Sequence, residues 1–535
     1  MKRKFKYTKY IIITSIVILV SLILLKVYRN FLISEKKLLL ICLDAADWDL
    51  IDPLIKEGKL PNLKKLKSQG ASGVMAVPET LISEVIWTTI ATGRTPHEHG
   101  ITDRLLFDFQ RRSLLYPTSS SVRAETIWSV ASSYGKKVGV LGYMLTYPPQ
   151  EINGVIISDR IFGMRNISYN SVNRSFPVFS KLCSAEEFDN FKILDTKILD
   201  INPVDFPDFW RPIESVDNFY FKFAKFLLNK EKFDFFCLYI RGIDVVGHQF
   251  WDCQFPELVN GKITSSKYKD IIRNYYIWCD KMIGELVDVA GRGTAIGVIS
   301  DHGMQKRKNN RDYLFSNVDH LLKVAGISAF FYEGKEYILK NVTHDNYSQL
   351  KQLRIFSDAS RDEIDRAKNI CKNALKEIMV KETGKPAFNI VRETDDSIII
   401  DSHMLGQTGQ AAVIINHKEY PIGSFHIKNF PGDHKPGAVI LFSGEGILAG
   451  QRIINSTIYD IYPTISHYLG LPVNKNMKGR VLLDIFEKKM RKVRYSDNKS
   501  RSKKIGANFK PSVPEYNPEQ EEEIKDKMRS LGYLN

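Results

Sequence analysis

Short, wholly apolar runs recur along this chain, and a carboxylate or an imidazole stands at the end of several of them. The run LLLICLD ends in Asp44, and AIGVISDH ends in Asp301 and His302. Runs without polar positions are typical of strands that are buried on both faces. In an open parallel sheet, ligands gather at the carboxyl ends of the strands, so such residues are predicted to meet there. The residues placed in this way are Asp44, Asp244, His248, Asp301, His302 and His434.

Amphipathic stretches alternate with these apolar runs from residue 37 onward. WDLIDPLIKEGKLPNLKKLKSQG predicts two helices, the second beginning at Pro61 and ending at Gly70. Further helices are predicted over 85–92, in DNFYFKFAKFLLNKEK and in YKDIIRNYYIWCDKMIGELVDVAG. Strands are predicted in KKVGVLGY, GVIISD, FDFFCLYIRG and TAIGVISD. This alternation predicts an α/β fold with a mostly parallel central sheet flanked by helices.

Residues 305–425 interrupt the alternation. They carry many polar residues and contain the helix-like stretch RDEIDRAKNICKNALKEIMVKE, followed by the strand-like runs SIIID and AAVIIN. This pattern predicts an inserted α+β cap beside the active-site end. The alternating pattern resumes with AVILFSGEGI and a final helix in STIYDIYPTISHYLG. The catalytic domain is therefore predicted over 38–485, and residues 486–535 are predicted to be a basic tail that ends in a short helix.

The N-terminus carries one continuous apolar run. Residues 10–25 read YIIITSIVILVSLILL, with five basic residues before them and Lys26 and Arg29 after them. This run is at the short end for a membrane span, which needs roughly 20 residues. No A-x-A-like cleavage site follows in KVYRNFLISEKK, which favours an uncleaved anchor over a signal peptide or a buried helix. We expect residues 1–37 to be a single-pass anchor, with a cytoplasmic N-terminus and an extracytoplasmic catalytic domain.

The positive charge of the chain is concentrated at its ends. The net charge is +15, and residues 1–37 hold nine Lys or Arg against the single acid Glu35. This uneven placement weakens a nucleic-acid interpretation, and no nucleic-acid partner is expected. Residues 486–510 hold ten basic residues against two acids. We expect this segment to be either a solvated basic tail or a patch that rests on anionic lipid. The six cysteines form no CxxC or CxC pair, which favours buried free thiols over a disulfide framework.

The carboxylates and imidazoles at the run ends suit a catalytic metal site. A ligand set without thiolates can leave coordination positions open for substrate, as catalytic zinc sites do. Asp244 and His248 are four residues apart, so one side of a helical turn can offer both to one ion. The adjacent Asp301 and His302 can share an ion only where the backbone turns at a strand end. The two histidines of TPHEHG lack such a context, and we expect them to shape a turn and a helix end.

Six sequence words occur together in the order and spacing of a known family. They are LLLICLDAADWDL, LPNLKKLKSQGA, SEVIWTTIATGRTPHEHGI, IDVVGHQFW, ISDHGM and GDHKPGAVILFSGEGI. Over about residues 38–480 the chain resembles the alkaline phosphatase superfamily and, within it, the type I phosphodiesterase/nucleotide pyrophosphatase family. The resemblance implies an alkaline-phosphatase-like fold with two divalent metal ions, zinc or alternatively manganese. It implies that Asp44, Asp301 and His302 bind one ion, and that Asp244, His248 and His434 bind the other.

By the same resemblance, Ser83 is the nucleophile and a further metal ligand. It lies nine residues before Thr92 of the Thr-Gly pair, where other members of the family place a threonine. A metal ion can deprotonate a serine hydroxyl near neutral pH, and the predicted helix after Ser83 favours phosphoryl oxygens at its N-terminus. Two alternatives stay open: Ser83 is only a helix N-cap, or the nucleophile is Thr88, Thr89 or Thr92.

The sequence departs from two branches of the superfamily. Nucleotide pyrophosphatases keep an asparagine three residues after the nucleophile, where this chain has Ile86, and this weakens the case for nucleotide diesters. Arylsulfatases need a C/S-x-P-x-R motif, and SEVIW lacks its proline and arginine.

The implied function is metal-dependent hydrolysis of a phosphoric ester, with a phosphodiesterase that forms a phosphoryl-serine intermediate as the leading interpretation. One alternative is a phosphotransferase that passes the phosphoryl group to a lipid or glycan acceptor. The other is a non-catalytic scaffold that binds metal without turnover. The substrate and the oligomeric state are left open by the sequence.

Overall fold

A nine-stranded sheet forms the centre of the molecule. The computed structural model describes residues 36–496 except 105, 109–112, 161–173, 193–210, 255–267, 307–313, 316–320, 324, 342–349, 382, 402–411, 416, 422–424 and 427–431. The strands are β1 Lys37–Leu43, β2 Gly70–Ala76, β3 Val138–Leu141, β4 Gly154–Ile157, β5 Ser175–Phe176, β6 Phe235–Ile240, β7 Thr294–Ile299, β8 Ala438–Ser443 and β9 Gln451–Thr457. Their spatial order is β9-β2-β8-β7-β1-β6-β3-β4-β5.

The sheet is mixed, and it is mostly parallel, as predicted, because seven of its nine strands run in one direction and only β8 and β5 run against them. Five of its eight neighbouring pairs are parallel, and three are antiparallel: β2 with β8, β8 with β7, and β4 with β5. The direction of β8 follows from a short connection. Only two residues separate Lys435, at the edge where β7 ends, from Ala438, so the chain enters β8 from that edge and runs back against β7.

Helices cover both faces of the sheet, as predicted. Within the described part of the chain, the helices longer than one turn are α1 Trp48–Lys56, α2 Pro61–Gln69, α3 Ser83–Thr92, α4 Ile127–Ser133, α5 Ala185–Lys192, α6 Arg211–Lys230, α7 Gly242–Phe250, α8 Ile271–Ala290, α9 Arg361–Lys376 and α10 Ile461–Tyr468. Helix α2 begins at Pro61 and is capped by Gly70, as its sequence predicts. One-turn helices lie at Pro96–His99 and Phe179–Leu182.

Alternate residues of β1 enter two different hydrophobic cores. Leu39 and Ile41 pack in a core that includes residues of α1, α2, α6 and α8. Leu40 and Cys42 pack in the core on the other face, which includes residues of α3, α4 and α10. Because successive strand residues point to opposite faces, a strand covered on both sides must be apolar throughout. This explains why the strand sequences lack polar alternation.

The segment predicted as an inserted cap has a hydrophobic core of its own. A five-stranded antiparallel sheet contains Ala329–Tyr332, Lys335–Asn341, Leu350–Phe356, Ser397–Asp401 and Asn389–Glu393 in spatial order. A second sheet contains Lys385–Pro386, Met379–Val380, Ala412–Ile415 and Lys418–Pro421. Buried residues of both sheets and of α9, among them Leu353, Cys371 and Val413, form one cluster. The described part of this segment is therefore an α+β unit.

Short two-stranded ribbons complete the fold. They pair Leu106–Asp108 with Ser113–Leu115, Gly303–Lys306 with Gly432–Lys435, Leu314–Phe315 with Phe425–His426, and Val473–Asn474 with Tyr495–Ser496.

Two predicted segments lie outside the described residues: the N-terminal anchor within 1–35 and the final helix within 497–535. Among the helices that the structure describes, none combines the length and apolar character needed to cross a bilayer. The prediction of free thiols is confirmed where it is tested, because Cys42, Cys237, Cys279 and Cys371 are buried and unpaired by disulfides. The side chain of Cys253 is not among those described.

Candidate metal centre and nucleophile

Three adjacent parallel strands bring most of the predicted ligands to one edge of the sheet. β1 lies between β7 and β6, and both of its pairings are parallel. Asp44 directly follows β1, and Asp301 and His302 follow β7 after one residue. Helix α7 begins two residues after β6 and carries Asp244 and His248 in its successive turns. The strand ends thus collect residues that are far apart in sequence, as their sequence positions predict.

A two-stranded ribbon brings His434 to the same edge. Gly432–Lys435 pairs antiparallel with Gly303–Lys306, and His434 lies opposite Met304. Gly432 also lies against helix α7, where a Cβ on this residue would come within 2.1 Å of the Gly247 carbonyl oxygen. A side chain at position 432 would therefore push the ribbon away from the helix that carries His248.

The three histidines each hold their Nδ1 atom against a backbone carbonyl oxygen. The Nδ1–O distances are 3.0 Å for His248 to Gly432, 3.0 Å for His302 to Gly303 and 2.8 Å for His434 to Leu81. A carbonyl oxygen can only accept a hydrogen bond, so each Nδ1 carries the proton. In this tautomer each ring, when neutral, presents the lone pair of its Nε2 atom to the centre of the site. This is the orientation of histidines that bind metal through Nε2.

Asp44, Asp301 and His302 form the first group of ligand atoms, and all three residues are fully buried. His302 Nε2 lies 3.2 Å from Asp301 Oδ2 and 3.6 Å from Asp44 Oδ1. The other two carboxylate oxygens are held by hydrogen bonds, Asp301 Oδ1 from the Ala45 amide at 3.1 Å and Asp44 Oδ2 from the Tyr239 hydroxyl. Among the described residues, Asp44 Oδ1 and Asp301 Oδ2 have no hydrogen-bond partner.

Asp244, His248 and His434 meet beside the first group. Asp244 Oδ1 lies 3.2 Å from His248 Nε2 and 3.3 Å from His434 Nε2, and the two Nε2 atoms are 2.9 Å apart. The ring of His302 stacks on that of His434 with centroids 3.8 Å apart. Asp244, His434 and His302 form the second group whose ligand atoms could hold a metal ion, so His302 belongs to both groups.

The donor set fits divalent cations. Buried carboxylate oxygens without a hydrogen-bond partner among the described residues are costly unless a cation neutralises them. Two imidazole lone pairs 2.9 Å apart also repel each other unless a cation or proton lies between them. Carboxylate and imidazole ligands without thiolates are compatible with zinc and with manganese. Asp44, Asp301 and His302, and likewise Asp244, His302 and His434, therefore form groups that could hold a metal ion.

The buried acids of this centre influence one another's ionisation. Burial raises the pKa of Asp44 to about 7, and the charge of Asp244 adds to the shift. Burial also raises the pKa of Asp301 well above its usual range, and repulsion from Asp44 contributes next. Burial opposes ionisation of Asp244 too, but His248 and His434 outweigh it and hold the pKa of Asp244 well below the usual range. A bound cation would let all three acids ionise together.

Ser83 is the first residue of α3, and its hydroxyl faces this centre. Its Oγ lies 3.3 Å from His302 Nε2, and the residue is 5% exposed. The N-cap position of α3 is occupied by Ile82, so Ser83 is not the N-cap that one alternative assumed. Each hydroxyl of the alternative nucleophiles donates instead to a carbonyl oxygen one helical turn earlier. These bonds run from Thr88 to Glu84 at 2.6 Å, from Thr89 to Val85 at 2.9 Å and from Thr92 to Thr88 at 2.7 Å.

Of the two histidines of TPHEHG, His99 has structural contacts, as expected. His99 is fully buried, its Nε2 lies 3.0 Å from the Thr89 hydroxyl, and its Nδ1 accepts the Ile101 amide at 3.1 Å. Burial lowers the pKa of His99 to about 3. The ring is therefore neutral and fixes the turn after the one-turn helix Pro96–His99.

Several residues around the site were missed by the sequence analysis. Tyr239 lies inside the apolar run of β6, and its hydroxyl donates to the Asp44 carboxylate. The one indication in the sequence was a tyrosine close to the end of a strand. Glu84 is buried directly after Ser83, where it accepts from the Tyr116 hydroxyl at 2.8 Å and pairs with Arg104 at 3.4 Å. The sequence did show an acid within an apolar helix next to the nucleophile position, and this could have indicated that Glu84 has a buried partner.

The cap contacts the chain close to this site. Arg354, on a cap strand, donates to the Thr102 hydroxyl at 3.2 Å and lies 3.9 Å from the Asp103 carboxylate. Arg104 is the next residue after Asp103, and it pairs with Glu84 in the first turn of α3. A short chain of contacts, from Arg354 through residues 102–104 to Glu84, thus connects the cap with the residue next to Ser83.

Comparison with known proteins gives a family match. A family model described as "Type I phosphodiesterase / nucleotide pyrophosphatase" matches residues 38–403. No curated protein matches the chain. Among solved structures, phosphonoacetate hydrolase from Sinorhizobium meliloti, in complex with phosphonoformate, is similar at 16% identity, with 82% of this chain and 95% of that chain covered and a TM-score of 0.47. An inactive murine ectonucleotide pyrophosphatase/phosphodiesterase 5 in complex with AMP is similar at 14% identity, with coverage of 82% and 96% and a TM-score of 0.42.

Proposed function

Because the chain belongs to the type I phosphodiesterase/nucleotide pyrophosphatase family and is a hydrolase of that class, we propose that it is a metal-dependent phosphodiesterase with Ser83 as its nucleophile. The observation that carries this proposal is the position of the Ser83 hydroxyl, 3.3 Å from His302 Nε2 at the meeting point of both ligand groups. A hydroxyl in that position can attack a phosphorus atom whose oxygens are held by the same centre.

Two divalent ions, which we propose to be zinc with manganese as the alternative, would neutralise phosphoryl oxygens and lower the pKa of a hydroxyl near them. Asp44, Asp301 and His302 would hold one ion. Asp244, His248 and His434 would hold the other. Histidine Nδ1 atoms bonded to backbone carbonyls keep the rings in this orientation throughout the reaction.

The reaction has two displacements. Ser83 Oγ gives up its proton and forms a bond to phosphorus, while the bond between phosphorus and the leaving oxygen breaks. The leaving oxygen takes up a proton in exchange and departs as the alcohol. Water then forms a bond to phosphorus and gives up a proton, the bond to Ser83 Oγ breaks, and the serine oxygen takes up a proton. The first turn of α3 directs its backbone N–H groups toward the negative phosphoryl oxygens in both steps.

The residue at position 86 affects which phosphodiesters the site can accept. It lies one turn after Ser83, is fully buried and offers no polar atom at the place where nucleotide pyrophosphatases keep an asparagine. We propose a diester substrate that does not depend on that amide. The Ile86 side chain packs with the core of α3 and α10 instead.

We also propose that residues 10–25 anchor the protein in a membrane once, with the catalytic domain on the extracytoplasmic side. The support is the apolar run with its five preceding basic residues. The enzyme would then bind its substrate outside the cytoplasm.

The test is hydrolysis of bis(p-nitrophenyl) phosphate by the full chain with added zinc, with chelator, and by Ser83→Ala. We expect turnover that needs metal and that falls on the order of a thousandfold or more in Ser83→Ala. Thr88→Val is the matched control, because it removes another hydroxyl from the same helix and should leave turnover unchanged. No turnover by protein that binds two metal ions would contradict the proposal and favour a scaffold. Transfer of the phosphoryl group to an added alcohol in preference to water would favour a phosphotransferase.

A further inference from the structure

A basic strip lies at the edge of the sheet opposite to the metal centre. We define this basal strip as Lys36, Lys488, Lys489, Arg491, Lys492 and Arg494, together with the acids Glu445 and Glu487. Six basic residues against two acids leave the strip strongly positive. The five basic residues from Lys488 to Arg494 are all exposed.

Contacts around Glu445 fix the strip at the edge where β1 begins. Lys36 directly precedes β1, and its Nζ lies 2.5 Å from the Glu445 carboxylate. Glu445 follows antiparallel β8 where that strand ends, at the same edge. The amide of Glu487 donates to the Gly446 carbonyl oxygen at 3.1 Å, which brings the C-terminal basic segment to this point.

The C-terminal basic segment has a defined backbone. His467 Nε2 lies 2.5 Å from the Met490 carbonyl oxygen, and Val473 donates its amide to the Arg494 carbonyl oxygen at 2.8 Å. Asn474 and Ser496 pair in a short parallel ribbon. The cationic side chains are therefore presented from a fixed position on the fold.

The route of the chain brings this edge near the apolar N-terminal run. Ten residues, 26–35, separate that run from Lys36. Ten extended residues span at most about 35 Å. If residues 10–25 lie in a bilayer, the basal strip is held within this distance of its surface. The ligand groups, in contrast, lie about 20 Å further along the seven residues of β1.

We propose that the basal strip rests on an anionic lipid surface and orients the molecule with its metal centre facing away from the membrane. Clustered lysine and arginine side chains next to a membrane-embedded segment bind the negative surface of anionic lipids. In this orientation the site meets soluble esters or polymers that protrude from the surface, rather than the phosphates of the lipids on which the protein rests.

Hydrogen exchange of the full chain tests this proposal. The protein is reconstituted in vesicles of phosphatidylcholine alone and in vesicles that also contain phosphatidylglycerol. Amides of residues 487–496 should exchange several-fold more slowly in the anionic vesicles, and added salt should remove the difference. Amides of α9 in the cap should exchange equally in both.

Two charge variants sharpen the result. Neutralising Lys488, Lys489, Arg491, Lys492 and Arg494 to glutamine should abolish the lipid-dependent protection. Neutralising the exposed cap residues Lys376, Lys381, Lys385, Arg392 and Lys418 to glutamine changes the net charge equally and should preserve it. Unchanged exchange of β1 and β7 amides confirms that each variant is folded.

Equal exchange in the two kinds of vesicle would overturn the proposal. So would protection of residues 487–496 by a soluble polyanion such as heparin without any difference between vesicles, because the strip would then serve a polyanionic macromolecule. Neither result depends on phosphodiesterase activity, so the orientation can fail while the proposed function stands.

Discussion

At the scale of single residues, the predicted metal ligands can be recognised in the sequence more easily than the residues that hold them in place. Each of the six carboxylate and imidazole residues stands beside an apolar run, which makes the strand end predictable. Tyr239 lies within such a run, and Asp47 resembles an ordinary helix cap, so neither could be assigned a partner from sequence. Asp47 meets Lys435 only because the fold brings together residues almost four hundred positions apart.

Asp47 connects three segments that carry predicted ligands, and it belongs to neither ligand group. It lies three residues after Asp44, accepts the Met304 amide at 3.2 Å, and binds Lys435 Nζ at 2.9 and 3.1 Å. We predict that Asp47→Asn weakens zinc binding by roughly tenfold or more, because the segments after both ligand groups lose a shared anchor. Competition with a chromophoric chelator measures the affinity.

Asp49→Asn is the matched control for Asp47→Asn. Asp49 also pairs with Lys435, but it is 79% exposed on its side chain and contacts only that partner among the three segments. Equal zinc affinities in the two variants would show that Asp47 does not position the ligands.

At the scale of elements, strand and helix positions followed from local pattern, whereas pairing direction did not. An apolar run of six residues predicts a buried strand. The sequence AVILFS of β8, however, does not indicate that this strand runs antiparallel to its neighbours. That direction depends on the ribbon that brings Lys435 back to the edge where β7 ends. The start of α7 is likewise set by a distant partner, Asp217 of α6.

The Asp217 carboxylate anchors the first turn of α7. It accepts the Arg241 amide at 3.2 Å, the Gly242 amide at 2.7 Å and the Tyr275 hydroxyl at 2.6 Å. We predict that Asp217→Asn lowers the free energy of unfolding by about 1–3 kcal/mol, because an amide cannot accept all three bonds. It should also reduce the zinc content after dialysis, since α7 carries Asp244 and His248.

Tyr275→Phe is the comparison for Asp217→Asn, because it removes one of the three bonds and keeps both bonds to the α7 backbone. Its effect on zinc content should be much smaller. If Asp217→Asn destabilises the protein but retains zinc as Tyr275→Phe does, the anchoring role of Asp217 is wrong.

At the scale of the whole molecule, the core and the cap meet at a buried acid. Asp103 is 1% exposed, and burial raises its pKa to about 7, although Arg354 from the cap opposes the shift. A carboxyl group whose pKa is raised by folding stabilises the folded state at low pH. That contribution is complete below about pH 4 and is lost as pH rises through about 7.

We predict that Asp103→Asn becomes more stable relative to the unmodified protein as pH rises from 5 to 8, by about 2–3 kcal/mol over this range. Denaturant unfolding at both pH values measures the difference. Asp49→Asn, which removes the same charge from an exposed position, is the control. A constant difference between Asp103→Asn and the unmodified protein would mean that Asp103 is ionised in the fold at pH 5.

The architecture of the whole molecule was predictable to the level of an α/β core with an inserted α+β unit. The joint between them was not, because Arg354 reaches Thr102 from a strand about 250 residues away in sequence. The side chains that would select a substrate belong to such joints and loops. The sequence therefore identifies the chemistry of this site far better than its substrate.

The measurement that tests the central claim most directly is the stereochemical course at phosphorus. A phosphorothioate diester that is chiral at phosphorus is hydrolysed in isotopically labelled water, and the configuration of the product is determined. Two in-line displacements, through Ser83 and then water, predict net retention of configuration. Net inversion would show that water attacks directly, and it would contradict the serine intermediate even in an enzyme that depends on metal.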